Sequence, residues 1–183
     1  MSMMDQQHRA AIQLTFISLF VVSLVSGCAT PAKPQAMVVQ PQASPPVSNQ
    51  ALKSAFWVTN VSGGKETNPL WTSEVGNAEF KQALIQSLKI AGLFAKDAAS
   101  SRYTISAELQ ELKQPLIGVT FKVQSKVAYQ ISGDELSKTI PISAEGVGTM
   151  SDSWVGVSRL RIASENSIKE NIKKFMRKLD EFK

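Results

Sequence analysis

The chain has 183 residues, 43% of them hydrophobic, with a formal net charge of +5, one cysteine and one histidine. A single cysteine excludes an internal disulfide framework, and a single histidine leaves little for acid–base or nucleophilic catalysis. The length allows one ordinary domain with its own core.

In chain order, a short polar stretch containing Arg9 leads into an almost wholly apolar run from Ala10 to Val25. That run suits a signal-peptide core and falls short of the roughly 20 residues of a membrane-spanning helix. It ends in Val25-Ser26-Gly27-Cys28, an aliphatic residue, two small residues and a cysteine, which resembles the bacterial lipobox. The resemblance implies that residues 1–27 are a lipoprotein signal peptide and that Cys28 is the lipidation site, carrying diacylglyceryl and N-acyl chains. Those chains, at about 0.8 kcal/mol per buried methylene, would anchor the protein in a membrane. Cleavage removes Asp5, His8 and Arg9, so the mature chain keeps a charge of +5 and has no histidine. Ala29, where an aspartate commonly favours inner-membrane retention, resembles the outer-membrane pattern of Gram-negative lipoproteins and implies a periplasmic domain.

Residues 28–51 hold five of the eight prolines and, in Lys33, a single charge. Proline removes amide donors and disfavours helix, so a disordered tether is expected after the lipidated cysteine. About 24 such residues could span on the order of 70 Å and hold a domain well clear of the bilayer.

Residues 52–183 read as one globular domain. Ala55 to Val61 is rich in β-branched and aromatic residues and predicts a strand. Asn77 is a good helix cap, Phe80, Leu84, Leu88 and Ala91 recur at helical spacing, and Gly92 followed by Leu93 suits a Schellman ending, so a helix is expected over 77–91. Tyr103, Ile105, Ala107 and Leu109 alternate with polar residues. After a turn at Pro115 to Gly118, Val119 to Ile131 alternates strictly, with Lys122, Gln124, Lys126 and Gln130 on the wet face. A turn at Ser132 to Glu135 leads to a weaker strand, Leu136 to Met150, whose Pro141, Gly146 and Gly148 suit a sheet edge. A last helix is expected from Trp154 to Phe182, capped by Asp152 or Ser153, with Leu160, Ile168, Ile172, Phe175, Leu179 and Phe182 as its apolar stripe. The order β-α-β-β-β-α predicts an α+β two-layer sandwich: a four-stranded, mostly antiparallel sheet with both helices on one face.

A lipobox, a proline-rich segment and one such domain resemble a group of small Gram-negative outer-membrane lipoproteins. The group includes the lipopolysaccharide-assembly lipoprotein LptE and the YajG-type lipoproteins. Over residues 52–183 the resemblance rests on element order, and no residue role is carried over.

Two surfaces are candidates for contact. The last helix region carries eight Lys and Arg against four Asp and Glu from residue 154 on. Lys169, Lys173, Lys174, Arg177 and Lys178 could meet an anionic partner, the bland alternative being a solvated face with pairs Arg161–Glu165 and Glu170–Lys174. The loop after the first strand, with Gly63, Gly64, Glu66, Asn68 and Trp71, could present amides and polar groups to a ligand, or be a structural turn. The polar sheet face and an exposed edge strand are further docking options. No Ser-x-x-Lys, Gly-x-Ser-x-Gly, P-loop or metal-ligand pattern occurs. The expectation is therefore a non-catalytic protein with no metal and no nucleic-acid partner. It would serve an envelope protein partner as a binding or assembly accessory. The alternative is a stand-alone binder of an anionic envelope component such as lipopolysaccharide or peptidoglycan.

Overall fold

The computed structural model describes residues 29–41, 49–68, 72–134 and 136–180. Strands β1 (Phe56–Ser62), β2 (Tyr103–Lys113), β3 (Phe121–Gly133) and β4 (Leu136–Gly148) form one sheet in the order β1-β2-β3-β4. β1 runs parallel to β2, and the other pairs are antiparallel. A four-residue helix α1 (Pro34–Met37) precedes them. Helix α2 (Asn77–Ile90) makes the crossover from β1 to β2, and α3 (Gly156–Asp180) ends the described chain. The expected α+β sandwich is the observed one.

The strand alternation explains why both long helices share a face. Phe121, Val123, Ser125, Val127, Tyr129 and Ile131 of β3 are buried, while Lys122, Gln124, Lys126 and Gln130 face outward. Period two puts every apolar side chain on one side, and the helices must cover that side. Tyr129 sits at the centre, stacked on Phe175 of α3 at 3.8 Å and meeting the Phe80 ring of α2 edge-on at 6.4 Å. The end of α2 is the expected Schellman motif: Gly92 has φ +71°, and the Leu93 and Gly92 amides donate to the Leu88 and Lys89 carbonyls. The other end differs. Gly76 is the N-cap, and the Asn77 carboxamide instead accepts from the Gly64 amide at 2.8 Å.

Boundaries move in three further places. Val119 does not join β3; it is 63% exposed in the preceding loop. β4 stops at Gly148, but its register with β3 is unbroken through Pro141, which lies opposite Ala128. α3 starts at Gly156, not Trp154, because residues 149–155 form a closed loop. There the Thr149 amide and hydroxyl donate to Asp152, and the Val155 amide donates to the Ser153 hydroxyl. Phe182 lies outside the described residues.

The largest correction concerns the expected tether. Residues 29–41 are packed onto the domain: Ala29, Ala32, Met37, Val38 and Val39 are buried, and all but Ala29 belong to the main core. The segment lies on the seam between α2 and α3. The Val39 amide donates to Ser87 of α2 at 3.0 Å, and the Lys33 amide donates to Glu165 of α3 at 2.8 Å. Pro34 sits in the first turn of α1, where proline is tolerated, and apolar Met37-Val38-Val39 fills a gap between helices that sequence composition does not reveal. Leu52 is likewise buried, in a 3-10 turn spanning Gln50–Leu52. Met37→Ala should therefore lower stability by about 2 kcal/mol, the small end of the range for a buried Met. A mobile tether would register no change in urea unfolding.

Candidate functional site

The five basic residues expected to form a ridge lie along the second half of α3, but they do not form one free patch. Lys173 pairs with Glu170 at 3.2 Å, so the Glu170–Lys174 pairing is not the one formed. Lys174 instead crosses to β4 and donates to the Ser143 carbonyl at 2.8 Å. Arg177 and Lys178 are exposed, and Lys178 also has an interaction partner. Lys169 is half-buried. Nearer the helix start, Arg161–Glu165 forms as expected at 2.7 Å, but it is largely buried and shares its carboxylate with the Lys33 amide. It is a clasp for the N-terminal strip, not a solvated pair.

The β1–α2 loop spends its polar groups on itself. The Gly64 amide is held by Asn77 and the Lys65 amide by the Val75 carbonyl. The Glu74 amide donates to the Thr67 hydroxyl at 2.8 Å, and Asn68 bridges to Thr72. At Gly63, φ is +79° and a Cβ would strike the Leu109 carbonyl, so this glycine serves the turn and a close approach to β2. Two of the amides that could have met a ligand are thus taken, while Glu66 stays exposed. A cleft of about 360 Å³ lies between this loop, Pro31 and the start of α2. Trp71 lies outside the described residues, as does Cys28.

Both sheet edges are engaged in part by the rest of the domain. On β4 the side chains of α3 reach the main chain: Asn166 donates to Val147, Ser167 to Ala144, and Asn171 to Ile142. With Lys174 on Ser143, carbonyls of both alternating directions are engaged, so the edge-facing ones are among them. On β1 the Phe56 amide donates to Leu93, the Phe56 carbonyl accepts from Ala95, and Lys81 donates to the Thr59 carbonyl. Strand addition, an option on sequence grounds, would compete with these contacts at a few positions of each edge. The polar sheet face keeps a shallow groove of about 350 Å³ lined by charges of both signs, Glu111 and Glu145 with Lys126 and Lys174.

The most unusual surface is one that sequence reasoning missed. Leu116 is 86% exposed, Ile117 92% and Trp154 83%, with Val119, Met150 and Val155 also exposed. These residues belong to the β2–β3 loop and the β4–α3 loop. Phe121 pairs with Gly148, so both loops leave the same end of the sheet. Arg159 ties them: its guanidinium stacks over Phe121 at 5.6 Å and donates to the Ser153 and Trp154 carbonyls. A signal was present in Pro115-Leu116-Ile117-Gly118-Val119, three large apolar residues in a turn. Assigning Val119 to the strand and Trp154 to the helix concealed it. Among the described residues no helix is long and apolar enough to cross a membrane.

No family model and no curated protein matches the chain. Among solved structures it is similar to a candidate lipoprotein from Caulobacter crescentus CB15, with 9% identity over 72% of this chain and 92% of that one and a TM-score of 0.48. It is also similar to the hypothetical protein CT253 from Chlamydia trachomatis, with 10% identity, 70% and 96% coverage and a TM-score of 0.46. A third is protein XCC0632 of the DUF330 family from Xanthomonas campestris, with 11% identity, 81% and 90% coverage and a TM-score of 0.42. No residue role passes from these proteins to this chain.

Proposed function

We propose that the chain is a lipid-anchored envelope protein that works without catalysis, as a binding or assembly accessory to a protein complex at the outer membrane, with its domain in the periplasm. One observation carries this reading. Val25-Ser26-Gly27-Cys28 follows an apolar signal-length run and ends immediately before Ala29, the first described residue. Cleavage and acylation there would leave the folded domain intact. The mature chain would then hold no histidine and no free thiol, and its one prosthetic chemistry would be the lipid on Cys28. The group of LptE and YajG-type lipoproteins is the kind of protein this reading has in view, on element order alone.

The stand-alone anion binder is the weaker reading, because Lys173, Lys174 and Lys178 have partners within the protein. Cys28→Ser is expected to abolish incorporation of labelled palmitate and to move the protein from the membrane fraction to the soluble fraction. Unchanged labelling would overturn the anchor. Cross-linking in intact cells should then capture a stoichiometric envelope protein. Salt-sensitive binding to purified lipopolysaccharide with no protein partner would favour the alternative.

A further inference from the structure

We infer that the apolar loop end of the sheet is a membrane-contact surface: Leu116, Ile117, Val119, Met150, Trp154 and Val155 enter the bilayer beside the anchor. The inference rests on the reading that Cys28 is acylated. What it adds is orientation, and that comes from the path of the N-terminal strip.

Followed backwards from Val39, the strip climbs toward this end of the domain. Val39 meets Ser87 in the third turn of α2, Ala32 donates to the Glu74 carbonyl just ahead of α2, and Pro31 lines the same cleft as Gly64 to Thr67. The β1–α2 loop leaves the end of β1. β1 is parallel to β2, so this loop emerges where the β2–β3 loop does. A direct link joins them: Gln114, at the base of the apolar loop, donates to the Ser73 carbonyl at 2.8 Å and to the Ser164 hydroxyl at 3.1 Å. Ser73 neighbours Glu74, and Ser164 neighbours Glu165, the two residues that hold Ala32 and Lys33.

Cys28 is one peptide bond from buried Ala29, a Cα step of about 3.8 Å. The first contact with the domain is the Ala32 amide on Glu74, four residues after Cys28, so at most about 14 Å of chain separates the lipid from the domain, and the end that holds Ala32 faces the bilayer. That end carries the most exposed large apolar side chains among the described residues. Exposed apolar patches mark protein or membrane contacts, and tryptophan favours the lipid–water interface. A bilayer held within reach by a covalent anchor is the occupant this geometry supplies. The same orientation points α3 away from the membrane. Lys169 to Lys178 then stand about 20–33 Å along the helix from Gly156, beyond the ~8 Å over which surface charges act. The basic half of α3 would face the periplasm.

The test uses the full-length protein matured in a bacterial envelope, purified in detergent and placed in vesicles of phosphatidylethanolamine and phosphatidylglycerol with brominated acyl chains. Intact mass first reads acylation of Cys28. Tryptophan emission should fall relative to unbrominated vesicles, and Trp154→Phe should remove about half of that fall or more. Leu116→Asp with Ile117→Asp should weaken the quenching at an unchanged Tm, because both side chains are exposed. Acylated protein whose quenching is the same with and without Trp154 overturns the contact surface and leaves the anchor standing. Absence of acylation removes both. Shielding of Trp154 from aqueous iodide without quenching by lipid bromine would assign this end to a second copy or another protein, and also overturns the inference.

Discussion

Asn171→Ala is expected to destabilise the protein by about 4 kcal/mol and to lower its Tm by roughly 10 °C, the loss of several buried hydrogen bonds at once. Asn171 is fully buried in the middle of α3 and is the hub of a buried polar network. Its carbonyl accepts from the Tyr129 hydroxyl at 3.0 Å, and its amide donates to the Ile142 carbonyl at 3.0 Å and to Ser125 at 3.2 Å. Ser167 extends the network by donating to Ser125 at 2.8 Å. Alanine leaves the Tyr129 hydroxyl without its acceptor in a site with no access to water. Urea unfolding reads the result, and a loss below about 1 kcal/mol would mean that the network is not a unit. Pairing Asn171→Leu with Tyr129→Phe should recover part of the loss, since removing both partners is far cheaper than orphaning one.

The same tyrosine sets a pH dependence. Burial pushes the Tyr129 hydroxyl well above the ordinary tyrosine range. The folded state therefore holds its proton where the unfolded chain, titrating near 10, releases it. Its contribution to stability is complete below that pH and is lost as pH rises through and beyond it. Tyr129→Phe should flatten this alkaline limb.

Gly146→Val should cost at least about 3 kcal/mol, read as a loss of soluble, folded protein. A Cβ at Gly146 would collide with the Ser167 amide and the Ala163 carbonyl, and one at Gly148 with the Arg159 carbonyl. The obstacles are backbone atoms of α3, which cannot rotate aside as a side chain can. Gly92→Ala is the contrast. No atom lies within 4 Å of the added carbon there, but φ is +71°, so a cost of about 1–2 kcal/mol is expected from conformation alone. Equal Tm losses for the two variants would refute the close-packed seam.

That seam also gives the glycines of β4 a second meaning. Proline and two glycines in its sequence suggest a weak edge, and an edge it is. Yet Gly146 and Gly148 are small because α3 lies directly upon them, and Ser167, Asn171, Asn166 and Lys174 reach its main chain. The polar residues within the buried stripe of α3 look like interruptions when periodicity is counted. Their meaning depends on which carbonyls stand opposite, and those carbonyls come from residues 20 to 30 positions away.

Strand and helix order, the shared apolar face and the Schellman ending of α2 were all legible in the sequence. Each depends on a local period or a backbone preference that neighbouring residues carry. The lipobox resemblance at Cys28 is local in the same sense. Tertiary structure alone decided where residues 29–41 lie, which cations on α3 are free, and that two loops distant in sequence place Leu116, Ile117 and Trp154 at one end. A proline-rich strip reads as a tether until a groove of matching shape is present to bury Met37, Val38 and Val39. Burial of that kind is a property of two surfaces meeting, and only one of them is written in the strip.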